Sequence, residues 1–450
     1  MISYLRNLAV VYACTPSLGY AWNLGSFLGL SLVVQVVTGL LLLLNYNSLE
    51  RFEAIQFILY EVQLGWLMKI VHSNNASMIF ILLYLHLYKN LAVSGYRLRG
   101  AWNSGITMML LIIGAAFTGY VLVGSQMRFW AAMVITRLLR VVPLVGERAL
   151  YSVWGGYRIR WVTYQTMLVV HFILPFIVLG LLVIHLNFLH YTGSTRSSLT
   201  HSSLGKVTFY PYYWRKDAMN LVVYLVALFL MVSWPYALRE VELYEEANAM
   251  SSPVHIVPEW YFTAQYAILR RVPSKGAGVI LMVLRIAVLY LYPFTANRVS
   301  PSTSLARLVW VEALFFQAWL RYLGTAPISQ PYVLVAQIRV LVFFTLHLAL
   351  MGWNVVVGEA FSLAERSVGP SLLERLVNLV AWVEEKIITA WLNEEEPLPS
   401  HGDGWAYTGG PITPGSGPSW FTRAIELLFW TLRKYRPKLP WNVWKKMQKK

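Results

Sequence analysis

Eight stretches of this chain, at approximately 24–45, 66–90, 102–123, 164–191, 218–238, 277–295, 305–323 and 331–352, are long and mostly apolar. A bilayer core of about 30 Å takes about 20 such residues as one α-helix. Composition agrees with that demand: 57% of the residues are hydrophobic and 13% charged, against about 25% charged in soluble chains. The predicted class is therefore all-α and polytopic, with eight transmembrane helices. Strand-type alternation is missing, which argues against an outer-membrane barrel. The opening "MISYLRNLAVVYACTPSLGY" lacks the basic, apolar and small-residue order of a cleavable signal.

The connections divide the chain into three parts: 1–238, 239–358 and 359–450. The loop at 124–163 carries "FWAAMVITRLLRVVP", too short to span and suited to an amphipathic helix in the interface. The loop at 239–276 is acidic and then aromatic, through "EVELYEEANAMSSPVHIVPEWYFTAQYAILRRVP". The 359–450 extension combines an amphipathic segment, a Gly/Pro-rich linker at 401–418 and a basic end, and reads as peripheral. A net charge of +16 is matched here to anionic lipid headgroups and partner subunits rather than to nucleic acid. Lys and Arg in the loops at 91–101 and 192–217 favour the negative side of the membrane, but the arginines of 124–163 lie on the opposite side by parity. Charge alone leaves the orientation open.

One cysteine, Cys14, excludes an internal disulfide, a CxxCH haem attachment and a cysteine-held iron–sulfur cluster in this chain. Any metal cofactor is then held by other ligands; nine histidines are available, and four of them are spaced unusually. His72 and His86 lie fourteen residues apart in one apolar segment, and His171 and His185 repeat the interval in another. A lone buried histidine is ordinarily a hydrogen-bonded core residue, which does not account for two equal pairs. Fourteen residues rise about 21 Å along a helix and return within about 40° of the starting direction. By parity the two segments run the same way through the membrane. His72 then meets His171 at one depth, and His86 meets His185 at the other.

Two bis-imidazole sites at two depths suit two haems, because paired imidazoles leave no open coordination position and favour electron transfer over oxygen chemistry. Gly25 and Gly39 keep the same interval on the first span, and Gly105 and Gly119 keep it on the third. Glycine lets a flat macrocycle approach the backbone, although small residues also serve helix packing in membranes. Lys69 and Lys89, close in sequence to His72 and His86, are candidate partners for haem propionates or snorkelling interfacial lysines.

Further motifs add a resemblance. "WNLGSFLGLSLVVQVVTG", "HSNNAS", "AFTGYVL", "FWAAMVIT", "HFILPF", "FLHYTGS", "YPYYWRKD" and the Pro-Glu-Trp-Tyr at 258–261 resemble, in order and over about residues 20–355, the cytochrome b family. Its members are di-haem subunits of the cytochrome bc complex, respiratory complex III. The resemblance implies a four-helix di-haem bundle, with His72 and His171 on the low-potential haem b and His86 and His185 on the high-potential one. Equal histidine intervals and fused C-terminal helices are similar to the mitochondrial and proteobacterial form. That implies a multi-pass protein of the mitochondrial inner membrane, with a bacterial plasma membrane as the alternative. Three departures stand out: the family's Pro-Trp-Gly-Gln reads "VGSQ" at 123–126, two arginines appear as Lys69 and Lys89, and 359–450 has no counterpart.

The family's orientation places the loops at 124–163 and 239–276 on the positive side, where ubiquinol is oxidised. A carboxylate in an aromatic, water-poor surrounding is a suitable proton acceptor, and Glu259 occupies that position. By resemblance Tyr120, Tyr266 and the 129–136 segment, including Ala131, line the pocket. One electron is expected to pass to a Rieske iron–sulfur protein beside a cytochrome c1-type subunit, in a homodimeric complex with further subunits. The other crosses through the haems. On the negative side His190, Ser194, Lys216 and Asp217 match the positions at which ubiquinone is reduced. Together these imply a Q cycle coupled to proton translocation. A different di-haem membrane anchor would not need the Pro-Glu-Trp-Tyr loop, and a transporter with buried histidines would lack b-type haem bands.

Overall fold

The computed structural model describes residues 10–16, 18–195, 206–235, 245–253, 256–295 and 304–364. The described residues fall within one compact unit; the rest of the expected extension, 365–450, lies outside the described residues. Twelve α-helices are described. They are α1 (Leu24–Leu43), α2 (Arg51–Tyr60), α3 (Gly65–Ala92), α4 (Arg99–Val121), α5 (Gln126–Arg137), α6 (Gly146–Trp154) and α7 (Trp161–Thr192). After these come α8 (Phe209–Ser233), α9 (Thr263–Arg271), α10 (Lys275–Thr295), α11 (Ser304–Thr325) and α12 (Tyr332–Ala364). A two-residue ribbon pairs Ala13 with Thr208 and Cys14 with Val207.

Seven of these helices are long and apolar enough to cross a membrane; α11 is the expected span that falls outside the seven. It is long enough, but Arg307, Glu312 and Arg321 lower its apolarity. The Glu312 carboxylate is met by the Arg339 guanidinium of α12 at 2.8 Å, which offsets the cost of a charge at membrane depth. The loop at 124–163 forms two short helices, α5 and α6. The outer faces of α7 and α8 expose Ile173, Phe176, Ile177, Val183, Val222 and Phe229. Such faces are unstable in water and ordinary against lipid tails.

Within the bundle, α1 packs on α3 and α4 packs on α7, with α8 against α1 and α3. The helices α9 to α12 close around a second core that includes Phe80, Trp102, Tyr261, Phe262, Tyr292 and Phe316. Arg271 is nearly fully buried and donates to the carbonyls of Leu323, Ala326 and Pro327. Leu323 lies in the last turn of α11 and Ala326 and Pro327 follow its end, so the guanidinium supplies donors where the helix runs out of its own.

The two long loops meet at one end of the bundle. The Gln126 N–H donates to Glu245 O at 2.8 Å, and the Ala247 N–H donates to Gly124 O at 3.2 Å. The Gln126 side chain adds bonds to Ser251 O and from the Asn248 N–H, each at 2.6 Å. Gly124 turns between α4 and α5 at φ +67°, a conformation that favours glycine. The unusual "VGSQ" is therefore a working turn.

Candidate functional site

The four histidines stand on α3 and α7, and each ring faces one of the four glycines. A Cβ placed on Gly25 would sit 3.3 Å from His86 Cε1, and one on Gly105 would sit 3.3 Å from His185 Cε1. On Gly39 it would lie 3.0 Å from His72 Cε1, and on Gly119 it would overlap the His171 ring. The interval of fourteen thus matches glycines on α1 and α4 to histidines on α3 and α7. His72 and His171 come together, with ring centres 6.3 Å apart and planes at 85°. Metal–imidazole bonds of about 2 Å on each side of one ion would separate two ring centres by roughly 6 Å.

Neighbouring groups orient the rings. The Ala115 carbonyl can only accept, so His171 Nδ1 donates to it at 2.7 Å and its Nε2 keeps a lone pair for a metal. Thr38 Oγ1 lies 3.0 Å from His72 Nδ1, and Ser104 Oγ lies 2.9 Å from His185 Nδ1. His86 Nδ1 is buried without a hydrogen-bond partner. Thr38, Ser104 and Ala115 were not anticipated from sequence. The two hydroxyls lie one residue from Gly39 and Gly105, a signal visible only once the glycine register is known.

Among the described residues no three His, Cys, Asp or Glu side chains converge. A bare ion at the His72–His171 level would therefore find two protein ligands. A metal bringing four equatorial ligands on a flat ring fits both the ligand number and the glycine clearances.

A cavity of about 230 Å³ opens at the His72–His171 level. Its wall includes Gly39, Lys69, Gly119, Tyr120, Arg128 and Glu259. Of the expected positive-side residues, Tyr120 and Glu259 are on this wall. Ala131 is buried in α5, and the Tyr266 hydroxyl donates to Ile256 O at 2.7 Å; among the described residues neither lines the cavity. Burial pushes the Tyr266 phenol above its ordinary range, with Arg270 opposing. Arg128, not singled out from sequence, places Nη2 3.8 Å from Glu259 Oε1.

At the other end, the expected polar residues meet through the N-terminal segment. Asn23 Nδ2 and Ser26 Oγ donate to Asp217 Oδ1 at 2.7 and 2.6 Å. Lys216 donates to Leu18 O, and His190 lies against Tyr12 with ring centres 4.1 Å apart and planes tilted by 39°. Ser194 is half-buried. Its neighbour Thr195 accepts the Trp22 indole N–H at its carbonyl, at 2.8 Å. Lys89 donates to Asn90 Oδ1 at 3.0 Å and lies over the Trp22 ring.

Residues 10–193 match the family model described as Cytochrome b/b6/petB, and residues 246–344 match Cytochrome b(C-terminal)/b6/petD. The chain is 41% identical to cytochrome b of Caenorhabditis briggsae over 354 residues, covering 78% of this chain and 96% of that protein. To cytochrome b of Caenorhabditis elegans it is 40% identical over 348 residues, covering 77% and 94%. A solved structure of a hyperthermophilic respiratory complex III superposes with a TM-score of 0.73 at 23% identity, covering 79% of this chain and 97% of that one. With both histidine pairs in register and most of the sequence matched, the chain belongs to the cytochrome b family.

Proposed function

We propose that the chain is the di-haem, quinone-reactive subunit of a quinol–cytochrome c oxidoreductase and works by a Q cycle. The observation carrying this reading is that each of the four histidine rings faces a glycine on a neighbouring helix. His72 and His171 would hold the low-potential haem b, and His86 and His185 the high-potential one. Bound haem would supply one-electron redox chemistry at two depths of the bilayer. Gly25, Gly39, Gly105 and Gly119 keep the backbone clear of the rings. Lys69 and Lys89, each nine-tenths or more buried, offer cations to the propionates. Ser104 and the Ala115 carbonyl fix ring orientation at His185 and His171.

Glu259 is placed to accept a proton from ubiquinol in the cavity beside His72, with Tyr120 and, from just outside its wall, Ala131 and Tyr266 shaping the site. His190, Ser194, Lys216 and Asp217 would bind and protonate ubiquinone at the other end, with Asn23 and Ser26 holding the carboxylate. Oxidation on one side and reduction on the other couple electron flow to proton translocation. The partners that reaction calls for are a Rieske iron–sulfur protein and a cytochrome c1-type subunit, in a homodimeric complex in the mitochondrial inner membrane.

The test is to count haems in the purified native complex and in His86→Leu and His185→Leu. Two b haems per chain are expected in the parent and one in each variant. The apolar slot left by the missing ring system also lowers stability. Native spectra with two haems in either variant would overturn the assignment.

A further inference from the structure

Arg128 enters the cavity from α5, one residue before the 129–136 segment that the resemblance placed at the pocket. It is 6% exposed, its guanidinium carbon lies 4.9 Å from the Tyr120 ring centre, and its Nη2 lies 3.8 Å from Glu259 Oε1. Its Nε–H is buried without a hydrogen-bond partner. A buried cation is costly unless an anion faces it, and Glu259 is the carboxylate that does so. The 3.8 Å separation is an ion pair but too long for a hydrogen bond. The carboxylate is held by charge while its lone pairs stay available on the cavity side.

The backbone around Glu259 is fixed by other bonds. The Phe262 N–H donates to Glu259 O at 2.8 Å, the Trp260 indole donates to Ser77 Oγ at 3.0 Å, and Tyr84 donates to Tyr261 O at 3.2 Å. The side chain itself has rotamers to choose from, and Arg128 selects one. Arg128 is in turn anchored: Tyr120 carries its plane, and α5 is tied to 245–251 through Gln126.

We infer that Arg128 is a positioning residue for quinol oxidation, holding the Glu259 carboxylate aimed into the cavity beside His72. This rests on the proposed function, because it assigns a partner to the proton acceptor of that reaction. No bond to substrate is asked of Arg128. When quinol gives its proton to Glu259, the carboxyl becomes neutral and the attraction to the guanidinium falls.

The test is a double-mutant cycle in the assembled complex, with decylubiquinol as the probe and haem spectra as the control. Misplacing a catalytic group by about 1 Å can cost about 10²-fold, so Arg128→Met is expected to lower kcat by tens-fold while KM changes little. Arg128→Lys, which keeps a charge but lacks the planar fork, should recover part of the rate. Arg128→Met combined with Glu259→Gln should be no slower than Glu259→Gln alone, since residues acting through one contact are not additive.

A parental rate in Arg128→Met, or losses that multiply in the double variant, overturns the inference while leaving the proposed function intact. Where Arg128→Met fails to assemble, the same cycle is run with Arg128→Lys, and multiplied losses there overturn it equally. A parent complex without quinol oxidation or b haems fails the proposed function instead.

Discussion

A single carboxylate shows how far chemistry can be followed at the scale of one residue. Glu259 stands 15% exposed at its side chain, against Arg128, and Glu259→Gln removes the proposed proton acceptor while preserving shape. Quinol oxidation is expected to slow by about 10²–10⁴-fold, with both haem spectra unchanged; an unaltered rate across the pH range would count against the role. Ala131 makes a subtler case. Family members sensitive to methoxyacrylate-type inhibitors typically have glycine there, and one methyl in close packing can impose about 1–3 kcal/mol on a rigid ligand. Ala131 lies buried beside the cavity rather than on its wall, so the methyl would act through the packing of α5. Inhibitor titration should show the parent less sensitive than Ala131→Gly, with comparable quinol turnover; equal, tight inhibition of both sinks the idea. Glu259 was legible in sequence because Pro258 and Trp260 frame it. Arg128 was not, since an arginine in an amphipathic stretch reads as a solvated face until the neighbouring loop is seen to cover it.

At the scale of helices, the fourteen-residue interval is the feature that sequence and structure share. It was legible because a helix turns a fixed angle per residue, so equal spacings give equal faces. What no spacing reveals is which helix stands opposite: the pairing of α1 with α3 and of α4 with α7 is tertiary. For the same reason Thr38 and Ser104 were invisible as ring partners, and the short helices α2 and α9 were not distinguished from loops. The glycines give a paired test within these helices. A side chain at Gly119 would overlap His171, whereas one at Gly29 meets nothing within 4 Å. Gly119→Val is expected to lose the His72–His171 haem and keep the other, and Gly29→Val to keep both. Spectra of reduced minus oxidised membranes distinguish them, and loss of both haems in Gly29→Val would point to helix disruption.

For the whole molecule, the two halves of the chain share the core around Phe80, Trp102, Tyr261 and Tyr292, and they meet again where the loop after α4 bonds to residues 245–251. Both family matches end by residue 344, and the last described helix ends at Ala364. A chain ending at Glu384 is therefore expected to assemble with both b haems; failure to retain either would show that the extension is part of the bundle. The same glycine–histidine matching constrains how such a protein can change over time. Substitutions alter one contact each, but adding or removing one residue between Gly105 and Gly119 would rotate one end of α4 by about 100° relative to the other. One histidine of a matched set would then lose its clearance while the other kept it. Descendants of this chain should vary in length between helices and almost never between Gly25 and Gly39 or between Gly105 and Gly119, so insertions and deletions in them should stop abruptly at the glycines, as if at the marks of a ruler.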